Sequence, residues 1–338
     1  MLAAALTTTR KVELRETATP TPGSGEVLVR VSLCGICGSD LHVFRRGDGA
    51  ESRGVCPGHE ISGEIEAVGA NVNSVREGDR VAIEPLRTCG TCAACKRGDY
   101  HLCPRLELLG VSLPGGMADS VIAPAGSIYQ LPQSVDLEIG ALAEPTAVAV
   151  HAARLGGVGP GSSVLVLGSG TIGLLAAAAA RHLGAEYVAA TARHDHQRAL
   201  AEAMGCDDVL TAEDFRKTPV RPDVVIETVG GGATTVGDAV MAVQRGGTVV
   251  IVGLFDETPA FDPMAMLIKE VRMIGAMVYN RRDGRSDFDI ALELLSERGD
   301  VLRQLITHSF PLSEAQKGFE TAEDKKSGAV KVLLAPGV

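Results

Sequence analysis

The chain has 338 residues, of which 45% are hydrophobic and 22% are charged, and its formal net charge is -10. This composition is typical of a globular protein and excludes an intrinsically disordered one. The acidic balance argues against a nucleic-acid partner, because phosphate binding needs clustered Lys and Arg.

The length is too great for one ordinary core, so we expect two domains. No apolar stretch reaches about 18 residues without a polar or glycine break. The amino-terminal segment MLAAALTTTRKVEL has no basic residues before its apolar run. The sequence therefore predicts a cytoplasmic protein with small-molecule partners and no membrane partner.

The chain up to about residue 150 has the pattern of short strands separated by turns. Apolar and polar positions alternate, and Gly and Pro separate the alternating segments. This pattern predicts an antiparallel sheet. The predicted strands are 26–33, 63–69, 79–85 and 119–125.

A first set of candidate metal ligands lies in the segments CGICGSDLH and CPGHEISGE. Cys37, His59 and Glu60 offer a thiolate, an imidazole and a carboxylate. A mixed set of this kind can leave one coordination position open for water or substrate, as catalytic zinc sites do. A buried Cys and a hydrogen-bonded core His would explain the same residues, so spacing alone leaves both interpretations open.

Four cysteines follow in the segment CGTCAACKRGDYHLC, namely Cys89, Cys92, Cys95 and Cys103. Their short gaps allow four thiolates to surround one zinc ion at about 2.3 Å, which makes a closed structural site. An iron–sulfur cluster is the first alternative, but the cysteine-proline continuation of bacterial ferredoxins is missing. Four unrelated buried thiols are the second.

Glu144 interrupts the apolar segment ALAEPTAVAVHAA. A buried carboxylate is costly unless a cation or hydrogen bonds compensate it, so we expect Glu144 to face the metal or its water. The alternative is an exposed acid at a helix amino terminus, with Pro145 in the first helical position.

From Ser163 onward, apolar strands alternate with helical segments. SVLVLG is a continuous apolar run, typical of a strand that is covered on both faces, and the helix-forming segment TIGLLAAAAARHLG follows it. Repeated alternation predicts a parallel, doubly wound sheet. Further strands are predicted at 187–191, 223–230, 248–255, 271–279 and 329–336, and further helices at 196–205, 233–244 and 288–299.

The segment GSGTIG places a G-x-G-x-x-G pattern directly after a strand and at the start of a helix. Gly168 permits the tight turn, Gly170 admits a pyrophosphate, and Gly173 lets helix and strand pack closely. The helix amino terminus would bind the phosphates. The alternative is a purely structural glycine-rich turn.

These motifs occur in the order found in zinc-dependent medium-chain dehydrogenases, and the chain resembles that family over essentially its whole length. It is most similar to the sorbitol, threonine and butanediol dehydrogenase branch. The resemblance implies an α/β protein with a GroES-like, β-rich catalytic domain, residues 1–150 and 285–338, which carries the structural-zinc lobe 89–103. It also implies a Rossmann domain, residues 151–284, and a homodimer or homotetramer.

The resemblance further implies two zinc ions per chain. The catalytic ion would be bound by Cys37 and His59, with Glu60 or Glu144 as a further ligand, whereas Cys34 has no role in the family. The four cysteines of residues 89–103 would bind the structural ion.

The resemblance gives Ser39 the position of the hydroxyl that passes on the substrate proton, and His42 a common relay position. Without the resemblance, Ser39 is a turn or cap serine and His42 a surface histidine. We expect Asp40 to anchor the local loop.

The chain departs from the family in two places. Residues 117–120, Met-Ala-Asp-Ser, replace the usual A-E-Y segment. The acidic residue that receives the adenosine ribose after the second Rossmann strand is replaced by Ala192, followed by Arg193. NADP(H) is therefore favoured over NAD(H), because Thr191, Arg193 and Arg198 could bind a 2′-phosphate. The alternative is that Asp195 binds the adenosine ribose, so that NAD(H) is the preferred cofactor.

The predicted cofactor-binding residues are Gly168, Gly170, Thr171, Ile172, Gly173, Thr191, Arg193, Arg198 and Gly253. The predicted function is hydride transfer between a secondary alcohol, in a polyol, a sugar derivative or a small diol, and NADP(H) or NAD(H). The alternatives are an NADPH-dependent carbonyl reductase and a non-catalytic nucleotide-binding protein with only structural zinc.

Overall fold

The computed structural model describes residues 1–47, 56–217, 221–324 and 326–337. Two compact units make up the chain, one of Met1–Glu144 with Leu295–Val338, and one of Pro145–Leu294. The first unit is thus formed from both ends of the chain, and the second is inserted between them in sequence. The sequence analysis placed these limits near residues 150 and 285.

The amino-terminal part of the first unit consists mainly of short strands. They are β1 (Leu2–Thr8), β2 (Lys11–Glu16), β3 (Glu26–Gly35), β4 (Glu60–Val68), β5 (Arg80–Ile83), β6 (Leu86–Arg87), β7 (Glu107–Leu108), β8 (Ser120–Pro124) and β9 (Ile128–Gln130). Short helices lie between them and after them: α1 (Gly38–Arg46), α2 (Ala93–Arg97) and α3 (Leu137–Gly140). The longer helix α4 (Ala143–Gly156) then begins at the limit between the units.

The second unit alternates strands and helices. Its parallel strands are β10 (Ser163–Leu167), β11 (Tyr187–Thr191), β12 (Asp208–Leu210), β13 (Val224–Glu227), β14 (Thr248–Ile251) and β15 (Arg272–Gly275). The helices are α5 (Thr171–His182), α6 (Asp195–Met204), α7 (Ala212–Lys217), α8 (Thr235–Ala242) and α9 (Pro263–Lys269). The strand order is β12-β11-β10-β13-β14-β15, so the predicted doubly wound parallel sheet is confirmed.

Burial on both faces explains why β10 lacks alternation. The central residues Val164, Leu165 and Val166 are all fully buried, as is usual in parallel sheets. Helix α5 follows because its five consecutive alanines have the highest helix propensity, and all five are buried as well. It ends before Gly184, which adopts a left-handed conformation with φ of 97°.

The second unit ends with a small hairpin and the first half of the helix that follows it, and the chain returns to the first unit at Leu295. A small hairpin of β16 (Arg281–Arg282) and β17 (Arg285–Ser286) precedes α10 (Asp287–Leu302), β18 (Ile306–Pro311), α11 (Ala315–Glu323) and β19 (Lys331–Ala335). The sheet order is β18-β19-β3-β4-β5-β9, and β8 pairs with β3. All of these pairings except β18 with β19 are antiparallel. The predicted antiparallel sheet is therefore confirmed, and the last strand of the chain is one of its central strands.

Within the described ranges, no helix is both long enough and apolar enough to cross a bilayer.

Candidate functional site

The four cysteines of residues 89–103 converge on one point. The Sγ atoms lie 3.5 Å apart in the pairs Cys92–Cys95 and Cys89–Cys103, and 3.9 Å apart in the pairs Cys89–Cys95 and Cys92–Cys103. Four sulfurs placed about 2.3 Å from one ion at tetrahedral angles would lie about 3.8 Å apart. These distances therefore fit a tetrahedral thiolate site.

Backbone amides in this lobe favour the thiolate form. The backbone N–H groups of Thr91 and Cys92 lower the pKa of Cys89 to about 5. Desolvation raises the pKa of Cys95 to about 11, and hydrogen bonds with the neighbouring Cys92 and Cys103 sulfurs add to that shift. A bound zinc ion would favour the deprotonated form of all four thiols, so the donor set fits zinc.

The second group of candidate ligands is assembled by the pairing of β3 with β4. Gly35 pairs with Glu60 in this register, which brings the chain after β3 close to the start of β4. One donor atom each from Cys37, His59 and Glu60 then lies within 4.8 Å of the others. The structure thus brings together three residues that the sequence holds in two separate segments.

Glu60 also forms a buried ion pair that the sequence analysis missed. The Nζ atom of Lys331, the first residue of β19, donates to both carboxylate oxygens of Glu60 at 2.7 and 2.6 Å and to the Ile36 carbonyl at 3.2 Å. Burial lowers the pKa of Lys331, but Glu60 outweighs this effect and raises it. The signal in the sequence was a lone lysine in the apolar strand KVLLA, because a buried lysine needs a partner.

Two further buried groups show that negative charge accumulates here. Burial raises the pKa of Glu144 to about 7, and Glu60 adds to that shift. Burial lowers the pKa of His59, but Cys37 and Asp40 outweigh it and raise that pKa well above its usual value. The Nδ1 atom of His59 is buried and has no hydrogen-bond partner in the part of the chain that the structure describes. This donor set fits a divalent cation.

Glu144 is the second residue of α4 and is only 5% exposed. The alternative of an exposed acid is therefore wrong, although Glu144 does lie at a helix amino terminus. Glu144 does not belong to the group of three converging donors, but it interacts electrostatically with His59 and Glu60.

Helix α1 carries the two candidate proton-relay residues. Ser39 and His42 are half-buried and lie three positions apart, so they share one face of the helix. Asp40 accepts a hydrogen bond from the Cys37 backbone N–H at 2.9 Å and so anchors the start of α1. Cys34 is fully buried in β3 and is not one of the three converging donors.

Residues 117–120, which stand where the family has its A-E-Y segment, have a structural role. Asp119 Oδ2 accepts a hydrogen bond from the Leu2 backbone N–H at 2.6 Å, and Met117 is fully buried. Both residues therefore join the amino-terminal strand to the sheet of the first unit.

The dinucleotide loop lies between β10 and α5. Gly168 has φ of 99°, which favours glycine, and a Cβ atom at Gly173 would overlap the Gly168 carbonyl oxygen. Thr191 Oγ1 accepts a hydrogen bond from the Gly168 N–H at 2.9 Å. Gly170 caps α5, and Thr171 and Ile172 form its first turn. The predicted strand-to-helix geometry of a phosphate-binding loop is present.

The residues after β11 differ in what their side chains contact. Arg193 is exposed, and its backbone N–H donates to Gln197 Oε1 at 3.3 Å. Arg198 donates from Nη1 to the Val209 carbonyl oxygen, so part of its guanidinium is already engaged. Asp195 is exposed at the start of α6.

Gly253 follows β14 and donates its N–H to the Glu227 carbonyl oxygen at 3.1 Å. A Cβ atom at this position would overlap the Glu227 carboxylate. Glu227, a fully buried acid at the end of β13, was not foreseen from the sequence.

Comparisons with known proteins agree with this architecture. Residues 23–133 match the alcohol dehydrogenase GroES-like domain, and residues 171–297 match the zinc-binding dehydrogenase family. The sorbitol dehydrogenase of Bacillus subtilis is 33% identical over 99% of this chain and 97% of its own length.

Two solved structures are also similar over nearly the whole chain. An alcohol dehydrogenase from Escherichia coli CFT073, complexed with NADH, has a TM-score of 0.89 at 27% identity. A zinc-binding dehydrogenase from Sinorhizobium meliloti 1021, bound to NADP, has a TM-score of 0.87 at 30% identity. Each comparison covers 99% of both chains. The chain therefore belongs to the zinc-dependent medium-chain dehydrogenase family and is an oxidoreductase of the alcohol dehydrogenase type.

Proposed function

We propose that this enzyme transfers a hydride between a secondary alcohol, in a polyol, a sugar derivative or a small diol, and NADP(H) or NAD(H). The observation that carries the proposal is the convergence of Cys37, His59 and Glu60 in a buried cluster of negative charge. The name of the Bacillus subtilis relative, sorbitol dehydrogenase, supports a polyol as the substrate class.

The two alternatives are less well supported. A carbonyl reductase is not favoured, because the relatives are named as dehydrogenases. A non-catalytic nucleotide-binding protein would have no physical reason to hold a thiolate, an imidazole and a carboxylate together in a buried site.

In this proposal, Cys37 and His59 hold a zinc ion, and Glu60 or Glu144 supplies a further ligand. Zinc would act as a Lewis acid on the substrate oxygen. Ser39 Oγ accepts the proton of the substrate hydroxyl, and the His42 imidazole carries it onward. The nicotinamide would accept the hydride from the substrate carbon.

A second zinc ion, held by the four cysteines of residues 89–103, is proposed as structural. Four protein ligands leave no position for substrate. Its contribution is therefore to the stability of the lobe.

We also expect self-association as a homodimer or homotetramer. The apolar side chains of Met264, Leu267 and Ile268 on α9 are all more than half exposed, and β15 is an edge strand of its sheet. An open strand edge beside exposed apolar side chains supports a second copy of this chain as the partner.

The proposal is tested by replacing the ligands of the catalytic ion. Cys37→Ser and His59→Ala should leave a folded protein that binds nucleotide, while kcat falls at least about a hundredfold because Lewis-acid catalysis is lost. Steady-state kinetics and dinucleotide titration measure the two effects. Cys206→Ser, at a buried cysteine of the second unit, is the matched control with retained kcat. Wild-type turnover after loss of the metal at Cys37 and His59 would contradict the assignment of these residues to a catalytic zinc site.

The structural zinc site is tested by its effect on stability. Cys89→Ser should lower the free energy of unfolding by more than about 2 kcal/mol, because it breaks a closed metal shell. Denaturant unfolding and zinc content give the result, and Lys96→Ser, at an exposed residue of the same lobe, is the control. A variant with wild-type stability and full zinc content but little activity contradicts a structural role.

The cofactor proposal concerns the exposed guanidinium of Arg193. NADP(H) is favoured because Ala192 removes the acid that would repel a 2′-phosphate. Arg193→Ala should weaken the binding of NADP(H) by about ten- to a hundredfold, which corresponds to the loss of one charge-assisted hydrogen bond. The binding of NAD(H) should hardly change. The values of kcat/KM for both cofactors decide the matter, with Arg245→Ala as an exposed control. A wild-type preference for NAD, lost in Asp195→Ala, supports the alternative instead.

A further inference from the structure

Glu227 is a fully buried carboxylate for which the proposed chemistry has no role. It is the last residue of β13, and β13 lies next to β10 in the sheet. At this point the strand order reverses, and doubly wound sheets bind dinucleotides beyond the carboxyl ends of the strands there. A buried acid at this position calls for a physical explanation, because burying a charge without partners is costly.

The carboxylate organises the loop that follows it. Its Oε1 atom accepts hydrogen bonds from the Val229 N–H at 2.8 Å, the Gly230 N–H at 3.1 Å and the Thr235 hydroxyl at 2.7 Å. Three hydrogen bonds to a single oxygen restrict the positions of all three donors. The loop 228–231 is therefore held by one side-chain oxygen.

This loop packs directly on the dinucleotide loop. The Thr228 hydroxyl donates to the Leu167 carbonyl at 2.9 Å and to the Gly168 carbonyl at 3.3 Å. A Cβ atom at Gly168 would lie 2.8 Å from the Val229 side chain. Loop 228–231 therefore rests against the first glycine of the G-x-G-x-x-G segment.

The loop after β14 is tied to the same residue. The Val252 and Gly253 N–H groups donate to the Glu227 carbonyl at 2.9 and 3.1 Å, and the Gly231 N–H donates to the Leu254 carbonyl at 2.6 Å. Glu227 thus accepts hydrogen bonds from both loops, from the loop after β13 through its carboxylate and from the loop after β14 through its backbone carbonyl.

We infer that Glu227 is a positioning residue for the nicotinamide half of the cofactor. The inference rests on the proposed function. The residues after β11 are placed to receive the adenosine ribose, so the loops after β13 and β14, on the other side of the point of reversal, face the other mononucleotide. Glu227 acts through the backbone of these loops and does not itself contact the reacting atoms.

The test compares two ligands that differ by the nicotinamide. Dissociation constants are measured for the reduced dinucleotide and for the matching ADP-ribose, each with and without the 2′-phosphate. Glu227→Ala should raise the dissociation constant of the dinucleotide about tenfold while that of ADP-ribose changes less than about twofold. The value of kcat should fall about a hundredfold, because a small displacement of the nicotinamide from the substrate carbon strongly lowers the rate of hydride transfer. Zinc content should not change.

Two more conservative variants test the inference if Glu227→Ala does not fold. Glu227→Gln retains an oxygen acceptor and should recover most of the affinity. Thr235→Val removes one of the three donors and should raise the ratio of the two dissociation constants by about threefold. Glu202→Ala, at an exposed glutamate of α6, should leave that ratio unchanged.

The outcomes separate the inference from the proposed function. A wild-type protein that binds no dinucleotide contradicts the proposed function itself. If the wild type binds, but Thr235→Val changes the affinities of both ligands equally or not at all, Glu227 is only a stabilising residue and the inference is overturned.

Discussion

Buried negative charge in the first unit is the constraint on which the site depends. Cys37, Asp40, Glu60 and Glu144 can each carry a negative charge, and Glu60 is paired with the ammonium of Lys331. Charges that leave water must be paired, and removing one partner of a buried pair costs several kcal/mol. A divalent ion, as proposed above, would add positive charge to that of the Lys331 ammonium.

The same constraint explains why both chain ends share one sheet. Lys331 begins β19, which pairs with β3 near Cys34 and Gly35, and this pairing places its ammonium against Glu60. The first unit therefore needs its last strand to compensate the acid of β4. In the second unit the corresponding constraint is steric, since the phosphate-binding loop requires close contact between Gly168 and Gly173.

Local patterns in the sequence predicted much of this architecture. The cysteine lobe, the glycine-rich loop and β11 were predictable because each is encoded by neighbouring residues. Contacts across long sequence separations were not. The pair of Lys331 and Glu60 spans 271 positions, and hydropathy reveals that a lysine is buried without revealing its partner. Glu227 was missed for a different reason, because the backbone donors Val229 and Gly230 belong to a nearby loop whose conformation no periodic pattern encodes.

The central claim is that a divalent ion occupies the buried acidic cluster beside Cys37 and His59. Diffraction data collected on crystals of the purified protein at the zinc absorption edge test it directly. The account predicts two anomalous peaks per chain, one among the four cysteines of residues 89–103 and one between Cys37 and His59. A single peak, confined to the four cysteines, would contradict it.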